Sequence, residues 1–274
     1  MSERRRITGF SNETVKAIRS LREKKHRKAA GRFLAEGLRL LTDARESGHV
    51  PEVLVLSEAR DPHPLLAELE AAVAAAGGEV IETTPDILAK ITGKANPQGV
   101  AGVFEEFDTS LGALDRSSAD IWLVAQALRD PGNLGTMLRT GDAIGAGGLI
   151  LLDDCADPFG VEAVRASMGA VFTQAIARSS WEEFLPWLRA RGEGSGGQLV
   201  AASLRDALPY RQAPYAAPCF ILVGNESRGL PEEYEAACDL RVTMPMKGRA
   251  DSINAAVAAA VLGYEVLAAL DRRA

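Results

Sequence analysis

Residues 130–146, DPGNLGTMLRTGDAIGA, decide how the second half of this chain is read. A short apolar run, Ile121–Ala125, precedes them, and within them Leu134, Met137, Leu138 and Ile144 recur at helical spacing. A buried strand that passes through Asp, Pro, Gly and Asn into a helix is half of a strand–helix–strand unit. Asn133 is the expected cap of a helix over Leu134–Ile144, and Arg139 falls outside its apolar stripe. An arginine so placed is usually just solvated. About one and a half turns from a helix start that suits anions, it also competes as a phosphate ligand.

Working outward, Leu149–Leu152, Gln198–Ser203, Phe220–Val223 and Arg241–Met244 are further short apolar strands. Helical stretches at Val161–Ala170, Trp181–Arg191 and Ser252–Leu270 alternate with them. This alternation predicts a mostly parallel sheet with helices on both faces, whose ligands gather beyond the carboxyl ends of the strands. Two segments at such ends carry polar residues between turn formers. In GNESRGLP, residues 224–231, Gly224 and Gly229 allow close backbone approach while Asn225, Glu226, Ser227 and Arg228 supply polar atoms. In MPMKGRADSIN, residues 244–254, a strand end leads to a helix that Ser252 is expected to cap. Along that helix Ile253, Val257, Val261, Tyr264 and Leu267 form a stripe that reads either as core or as a subunit interface. Residues 192–197, GEGSGG, match G-x-G-x-x-G but follow a helix and precede a strand. That order is the reverse of the dinucleotide fingerprint, and it predicts a surface loop.

Toward the N-terminus, Glu105–Asp120 loses periodicity and gains Ser, Gly and Asp, which places a domain boundary there. The expected division is 1–106, a linker over 107–119, and 120–274, in keeping with 274 residues at about 100–200 per domain. The first part reads as an α/β series with strands at Val53–Ser57, Glu79–Thr83 and Gly99–Phe104 and helices at Leu65–Ala76 and Asp86–Thr92. Ahead of it, Glu13–Ser47 reads as two helices broken near Ala29–Gly31, with Val15, Ile18 and Leu21 on one face. Residues 1–40 hold twelve Lys and Arg against four Glu, although the whole chain is −6. An acidic protein with a basic head predicts a polyanionic partner for that head, against the alternative of a merely solvated helix face.

With 47% apolar and 25% charged residues the composition is that of an ordinary globular protein. The apolar stretch Ile253–Leu270 is interrupted by Gly263, Tyr264 and Glu265, and the basic start lacks a following apolar segment, so neither a membrane span nor a secretory signal is expected. The expected location is cytoplasmic. Cys155, Cys219 and Cys238 are far apart without C-x-x-C spacing, which predicts buried inert thiols rather than a disulfide framework or zinc site. His26, His49 and His63 all lie in the first quarter, so the later segments hold no histidine of their own for acid–base work.

Together, Asn133-Leu-Gly-Thr-Met-Leu-Arg139-Thr, Gly224-Asn-Glu226-Ser-Arg-Gly229-Leu-Pro, and Met244-Pro-Met followed by Ser252-Ile-Asn254 resemble the three ordered motifs of the SpoU-type RNA 2′-O-ribose methyltransferases, in the SPOUT superfamily. Asn12, Lys16, Arg27, Phe33-Leu-Ala-Glu36-Gly37 and Pro97-Gln98-Gly99 resemble the substrate-binding domain often fused to them, similar in fold to a ribosomal L30e-type RNA binder. Met244 and Ile253 stand where Ile and Leu are commoner, and Gln126-Ala-Leu-Arg129 replaces the usual run before Asp-Pro. The resemblance implies a trefoil-knotted α/β domain that dimerises, S-adenosylmethionine as cofactor, no metal, and a ribose 2′-hydroxyl in structured RNA as acceptor, with ribosomal RNA expected ahead of transfer RNA. It implies an active-site set of Asn133, Arg139, Glu226, Ser252 and Asn254, with Gly224, Met244 and Ile253 against the cofactor. Proton acceptance is often proposed at the Arg139 position, but a guanidinium with a pKa above about 12 is a poor base, and holding the target phosphate is the expected role. Lys16, Arg19, Arg22, Lys24, Lys25 and Arg27 are the expected RNA contacts of the head. The rival reading is a non-catalytic RNA-binding or ribosome-assembly factor on the same scaffold.

Overall fold

The computed structural model describes residues 4–190 and 196–272. Its first unit takes in residues 1–107 together with 157–173, and its second takes in 108–156 and 174–274. A cut by chain position alone, as expected at 107–119, leaves 157–173 with the second unit, whereas the packing places that segment with the first.

In the first unit the chain runs β1 (Arg5–Ile7), α1 (Glu13–Ser20), α2 (Lys24–Ala30), β2 (Arg32–Glu36), α3 (Leu38–Glu46), β3 (Val53–Ser57), α4 (Pro64–Ala75), β4 (Glu79–Thr83), α5 (Pro85–Thr92) and β5 (Val100–Glu105). The sheet order is β1-β4-β3-β5-β2, with β5 antiparallel to both of its neighbours. The expectation of two helices across Glu13–Ser47 is corrected here. Gly31 ends α2 in the left-handed conformation at φ +62°, and the next residues, Phe33, Leu34 and Ala35, form a strand buried on both faces. A continuous apolar run of this length does not distinguish strand from helix by periodicity, which is why the reading failed. Val15, Ile18 and Leu21 pack with Ile7, Val55, Ile81, Ile87 and Ile91 in the core of this unit.

The second unit continues β6 (Ile121–Gln126), α6 (Pro131–Ala143) and β7 (Gly148–Leu152), and after α7 (Val161–Ala166), which packs in the first unit, β8 (Ala175–Ser179) and α8 (Trp181–Arg189). There follow β9 (Gln198–Ala202), β10 (Leu208–Pro209), β11 (Cys219–Val223), α9 (Glu232–Ala236), β12 (Leu240–Thr243) and α10 (Ala255–Asp271). Its seven strands, in the order β10-β12-β9-β11-β6-β7-β8, are all parallel. Alternation sorts the side chains: Trp122, Val124, Ile150, Leu152, Phe220 and Leu222 join Trp181, Phe184 and Leu188 of α8 in one core layer. On the other side α10 packs against α6, β6 and β11. Gly263 lets the two helices close up, since a Cβ there would stand 2.7 Å from Ile144 Cδ1. The expectation of a parallel sheet covered on both faces is met. The strand β8 was not expected, because AIARS offers only two buried residues at the sheet edge. The glycine-rich stretch 192–197 falls largely on residues 191–195, outside the described residues.

Candidate active site at the strand ends

Three connections leave the carboxyl ends of β6, its neighbour β11, and β12, which β9 separates from β11, and each carries one of the three polar segments. After β6 the chain enters α6, whose cap is Asp130 rather than Asn133: the Asp130 carboxylate accepts a hydrogen bond from the Asn133 backbone N–H at 2.7 Å, with Pro131 in the first turn. This correction matters chemically. Inside the first turn, the Asn133 side chain is free of capping duty and points sideways into a network.

After β11 the chain turns sharply through 224–229. Gly229 closes the turn at φ +67°, donating its N–H to the Asn225 carbonyl at 2.9 Å. A Cβ on Gly224 would stand 2.5 Å from the Gly229 carbonyl carbon, so only glycine fits beneath the turn. The Asn225 side chain accepts from the backbone N–H groups of Ser227 and Arg228 and donates to the Ala127 carbonyl at 2.9 Å, which ties the turn to the end of β6. Glu226 is left exposed at the tip. After β12 the third segment reaches α10, which is capped by Asn254 rather than the expected Ser252. Its side-chain amide oxygen accepts from the N–H groups of Ala256 and Val257, while the Ser252 hydroxyl donates to the neighbouring Asp251.

These segments meet through their side chains. Asn254 donates its amide N–H to the Asn133 amide oxygen at 2.8 Å, and Asn133 donates in turn to Glu226 at 3.1 Å. Residues 133, 226 and 254, far apart in sequence, thus form one amide–amide–carboxylate chain. Beside it opens a cleft of about 330 Å³ lined by Gly224, Glu226, Met244, Ser252 and Ile253 among others, a size within the usual range for small-molecule sites. Gly224, Met244 and Ile253 therefore border one cavity, as do Glu226 and Ser252. Arg139 does not line it: on α6 it is exposed and, among the described residues, has no hydrogen bond or ion pair.

The cleft also has walls that the motif reading missed. Ser203, Leu204 and Arg205, after β9, line it, and so does Glu235 from α9. The buried Glu235 carboxylate accepts from the Ser203 hydroxyl at 2.7 Å, and Ser203 accepts from the Arg205 N–H at 3.0 Å. Tyr234, stacked on Trp181 at 3.9 Å, donates its hydroxyl to Asp153. Burial first, and then that bond, pushes its pKa well above the usual value. The signal for Ser203 and Arg205 was their position just past a strand end.

Elsewhere in this unit Cys219 is buried, and Cys155 and Cys238 are half-buried. Desolvation pushes Cys155 up to about 11 and Cys219 and Cys238 up to about 12, which keeps all three protonated and unreactive near neutrality. Among the described residues no group of three or more His, Cys, Asp or Glu is placed to hold a metal ion. No described helix is long and apolar enough to cross a membrane.

The head carries the other group of expected contacts. Lys16, Arg19, Arg22, Lys24 and Lys25 are exposed; Lys16 pairs with Glu13 at 2.7 Å, while the other four have no acidic partner among the described residues. Arg27 is corrected. It is 4% exposed, its guanidinium binds Asp157 at 2.7 Å and the carbonyls of Leu21 and Arg22, and so it has no face left for a phosphate.

A parallel α/β sheet with a small-molecule-sized cleft at its strand ends, lined by a glycine turn and adjoined by an amide–carboxylate chain, defines a ligand-binding protein of the α/β class. Comparison with known proteins narrows it. Residues 120–264 match the SpoU rRNA Methylase family and residues 12–102 the MRM3-like substrate binding domain. The chain is similar to the AdoMet-bound rRNA methyltransferase of Sinorhizobium meliloti, with 38% identity, a TM-score of 0.88, and coverage of 96% of this chain and 97% of that one. It is 32% identical to the 23S rRNA (guanosine(2553)-2′-O)-methyltransferase RlmP of Bacillus subtilis, over 96% of this chain and 99% of that protein. The SpoU methyltransferase AviRb of Streptomyces viridochromogenes, solved with AdoMet, matches at 29% identity and a TM-score of 0.85, over 96% and 99% of the two chains. The chain belongs to the SpoU family of RNA 2′-O-ribose methyltransferases, with an N-terminal substrate-binding domain. It is an enzyme, and its cofactor is S-adenosylmethionine.

Proposed function

We propose that the strand-end cleft holds the cofactor and that the Asn254–Asn133–Glu226 chain beside it receives a ribose 2′-hydroxyl of ribosomal RNA. The observation that carries this is the network itself, which joins one residue from each of three segments and reaches the cavity through Glu226, which lines it. The fit to the cofactor rests on the cleft's volume, on the absence of a side chain at Gly224, and on apolar surface from Met244 and Ile253 against which a nucleoside packs. S-adenosylmethionine supplies a methyl group already activated on a sulfonium, so the protein's work is alignment and proton removal. Asn133 is fixed from both sides, accepting from Asn254 and donating to Glu226, so the rim keeps its shape before RNA arrives. Glu226 brings the network's one carboxylate to the acceptor. Arg139, exposed and unpaired, takes the phosphate next to the target ribose, and Ser252 orients the acceptor or cofactor from the cleft wall.

In the same proposal the exposed cations of α1 and α2 hold the surrounding RNA, and the work is cytoplasmic. Transfer of labelled methyl to ribosomal but not transfer RNA, with ribonuclease mapping to a 2′-O position, is the expected result. Methylation of transfer RNA alone would reassign the substrate, and absence of any transfer would favour the non-catalytic assembly factor. A homodimer is also proposed. On α10 the stripe expected as core or interface is not core at Val257 and Tyr264, which are 48% and 54% exposed. Uncovered apolar surface on a helix of small residues suits a symmetric partner. Sedimentation at micromolar concentration should show a dimer, and a monomer at all concentrations removes the claim. The trefoil knot implied by the family resemblance belongs to the same proposal, and the path of residues 223–254 in a crystal structure tests it.

A further inference from the structure

We propose that residues 157–173 complete the RNA-binding surface of the first unit, with Arg165 as an additional phosphate contact and Asp157, through Arg27, as a positioning residue. The inference rests on the reading of the basic head as an RNA-binding surface. It adds to that surface a segment that chain position assigns to the methyltransferase half.

The segment is built into the first unit rather than lying loosely on it. Phe159 and Phe172 pack against Phe33 with tilted rings, 5.0 and 5.9 Å between centroids, and Phe172 meets Phe104 at 4.8 Å. Val161 and Val164 of α7 close over Leu34 and Leu40 around a void of about 10 Å³. At the segment's start, Asp157 accepts two hydrogen bonds from the Arg27 guanidinium, 2.7 and 3.2 Å, and one from the Phe159 N–H at 3.1 Å. The remaining Arg27 nitrogen donates to the carbonyls of Leu21 and Arg22 at 2.8 and 2.9 Å. One buried guanidinium therefore fixes the turn between α1 and α2 against residue 157. A buried pair of this kind is a costly way to gain stability and a good way to fix a register.

What is fixed is an arrangement of charge. Lys24, Lys25 and Lys28 project from the same helix whose Arg27 is buried. Arg22 lies over Gly93, where a Cβ would come within 2.3 Å of its guanidinium, and Arg165 lines the void beside the adjacent Thr92. Arg22 and Arg165 thus flank the end of α5. Arg165 is exposed and, among the described residues, has no acidic partner; the nearby Glu36 carboxylate is taken by Lys94 at 2.8 Å and by the Gln98 N–H at 2.9 Å. Clustered cations whose charge is not cancelled internally suit a polyphosphate backbone, from which they displace counterions.

Binding of the full-length protein to a ribosomal RNA transcript, measured by anisotropy across a range of KCl concentrations, tests this. Arg165→Ala should weaken binding about threefold at low salt and lower the slope of log K against log salt by about 0.7–0.9, while Arg165→Lys should restore most of both. Asp157→Asn should reduce the slope by more than one contact, because it loosens the turn that carries Arg22 and Lys24, and cofactor affinity serves as its folding control. If Arg165→Ala leaves affinity and slope unchanged while Lys24→Ala with Lys25→Ala reduces them, the head binds RNA and this proposal falls alone. If neither changes the slope, the reading of the head falls with it.

Discussion

The strand-end cleft and the basic head are both polar, but they spend their polarity in opposite ways. At the cleft, Asn133, Glu226 and Asn254 are bonded to one another and Asn225 is bonded to the chain around it, so positions are set before a ligand arrives. In the head, Arg19, Arg22, Lys24 and Lys25 have no acidic partner among the described residues, so charge is available but no single geometry is imposed. A fixed constellation acts through orientation, and its loss shows in rate. A diffuse cation cluster acts through counterion release, and its loss shows in affinity and salt dependence. Arg139 shares α6 with Asn133 but, like the head cations, is exposed and unpaired among the described residues, which makes it the most informative residue of the two regions.

Arg139→Ala is expected to have the largest effect. Turnover should fall at least a hundredfold, since lost orientation or proton transfer costs about 10²–10⁴ in rate, while folding and cofactor affinity stay nearly constant because the residue is exposed and outside the cleft. Arg139→Lys should recover little, a point charge being a poor copy of a bidentate fork. Near-normal single-turnover methylation by the alanine variant would move Arg139 to the diffuse class. Gly224→Ala comes next. Its Cβ would meet the Gly229 backbone at 2.5 Å, and overpacking of this kind costs about 1–3 kcal/mol, which, if lost from binding, is about 5- to 150-fold in cofactor affinity by calorimetry. An unchanged Kd would show that the turn yields and that the cleft is less fixed than its bonds suggest. Smaller again, each of Arg19, Arg22, Lys24 and Lys25 changed to Ala should lower the salt slope by about 0.7–0.9 and leave the rate at saturating RNA unchanged. A fall in saturated rate without a change in slope would reverse the assignment of the two regions.

The difference between these regions also explains what the sequence could tell. Segments 130–146, 224–231 and 244–254 were legible because each is a local cluster of turn formers and polar residues at a strand end. Their joining was not, because the choice of Asp130 and Asn254 as caps over Asn133 and Ser252 depends on which side chains have partners elsewhere. Ser203 carries only its position past a strand end as a signal and Glu235 carries none, and their pairing exists only after α9 has packed. In the head, charge was legible but its cancellation was not. Arg27 looks like its neighbours in sequence, and only the return of residue 157 to the first unit buries it. Strand β2 was lost for a similar reason, since Phe33, Leu34 and Ala35 are buried from both sides by elements distant in the chain.

The smallest expected effect tests whether pairing, rather than the bare count of cations, separates active charge from idle charge. Arg4, Arg5 and Arg6 are as basic as the α1–α2 residues, but each is held by a carboxylate. Arg5 binds Glu79 at 2.9 Å, Arg6 binds Glu58 at 2.8 Å, and Arg4 binds Glu70 through both oxygens at 2.8 and 2.9 Å. Arg5→Ala removes a pair that is half exposed, and such pairs contribute about 0–1 kcal/mol, so thermal unfolding should hardly shift. RNA affinity and salt slope should stay within error of the unaltered protein, because a cation already neutralised by Glu79 releases few counterions when phosphate approaches. Lys24→Ala removes the same formal charge and should be measurably weaker under identical conditions. If the two variants lose affinity equally, RNA competes successfully for the arginines of β1, the ion pairs there open on binding, and the binding surface extends across the edge of the first sheet.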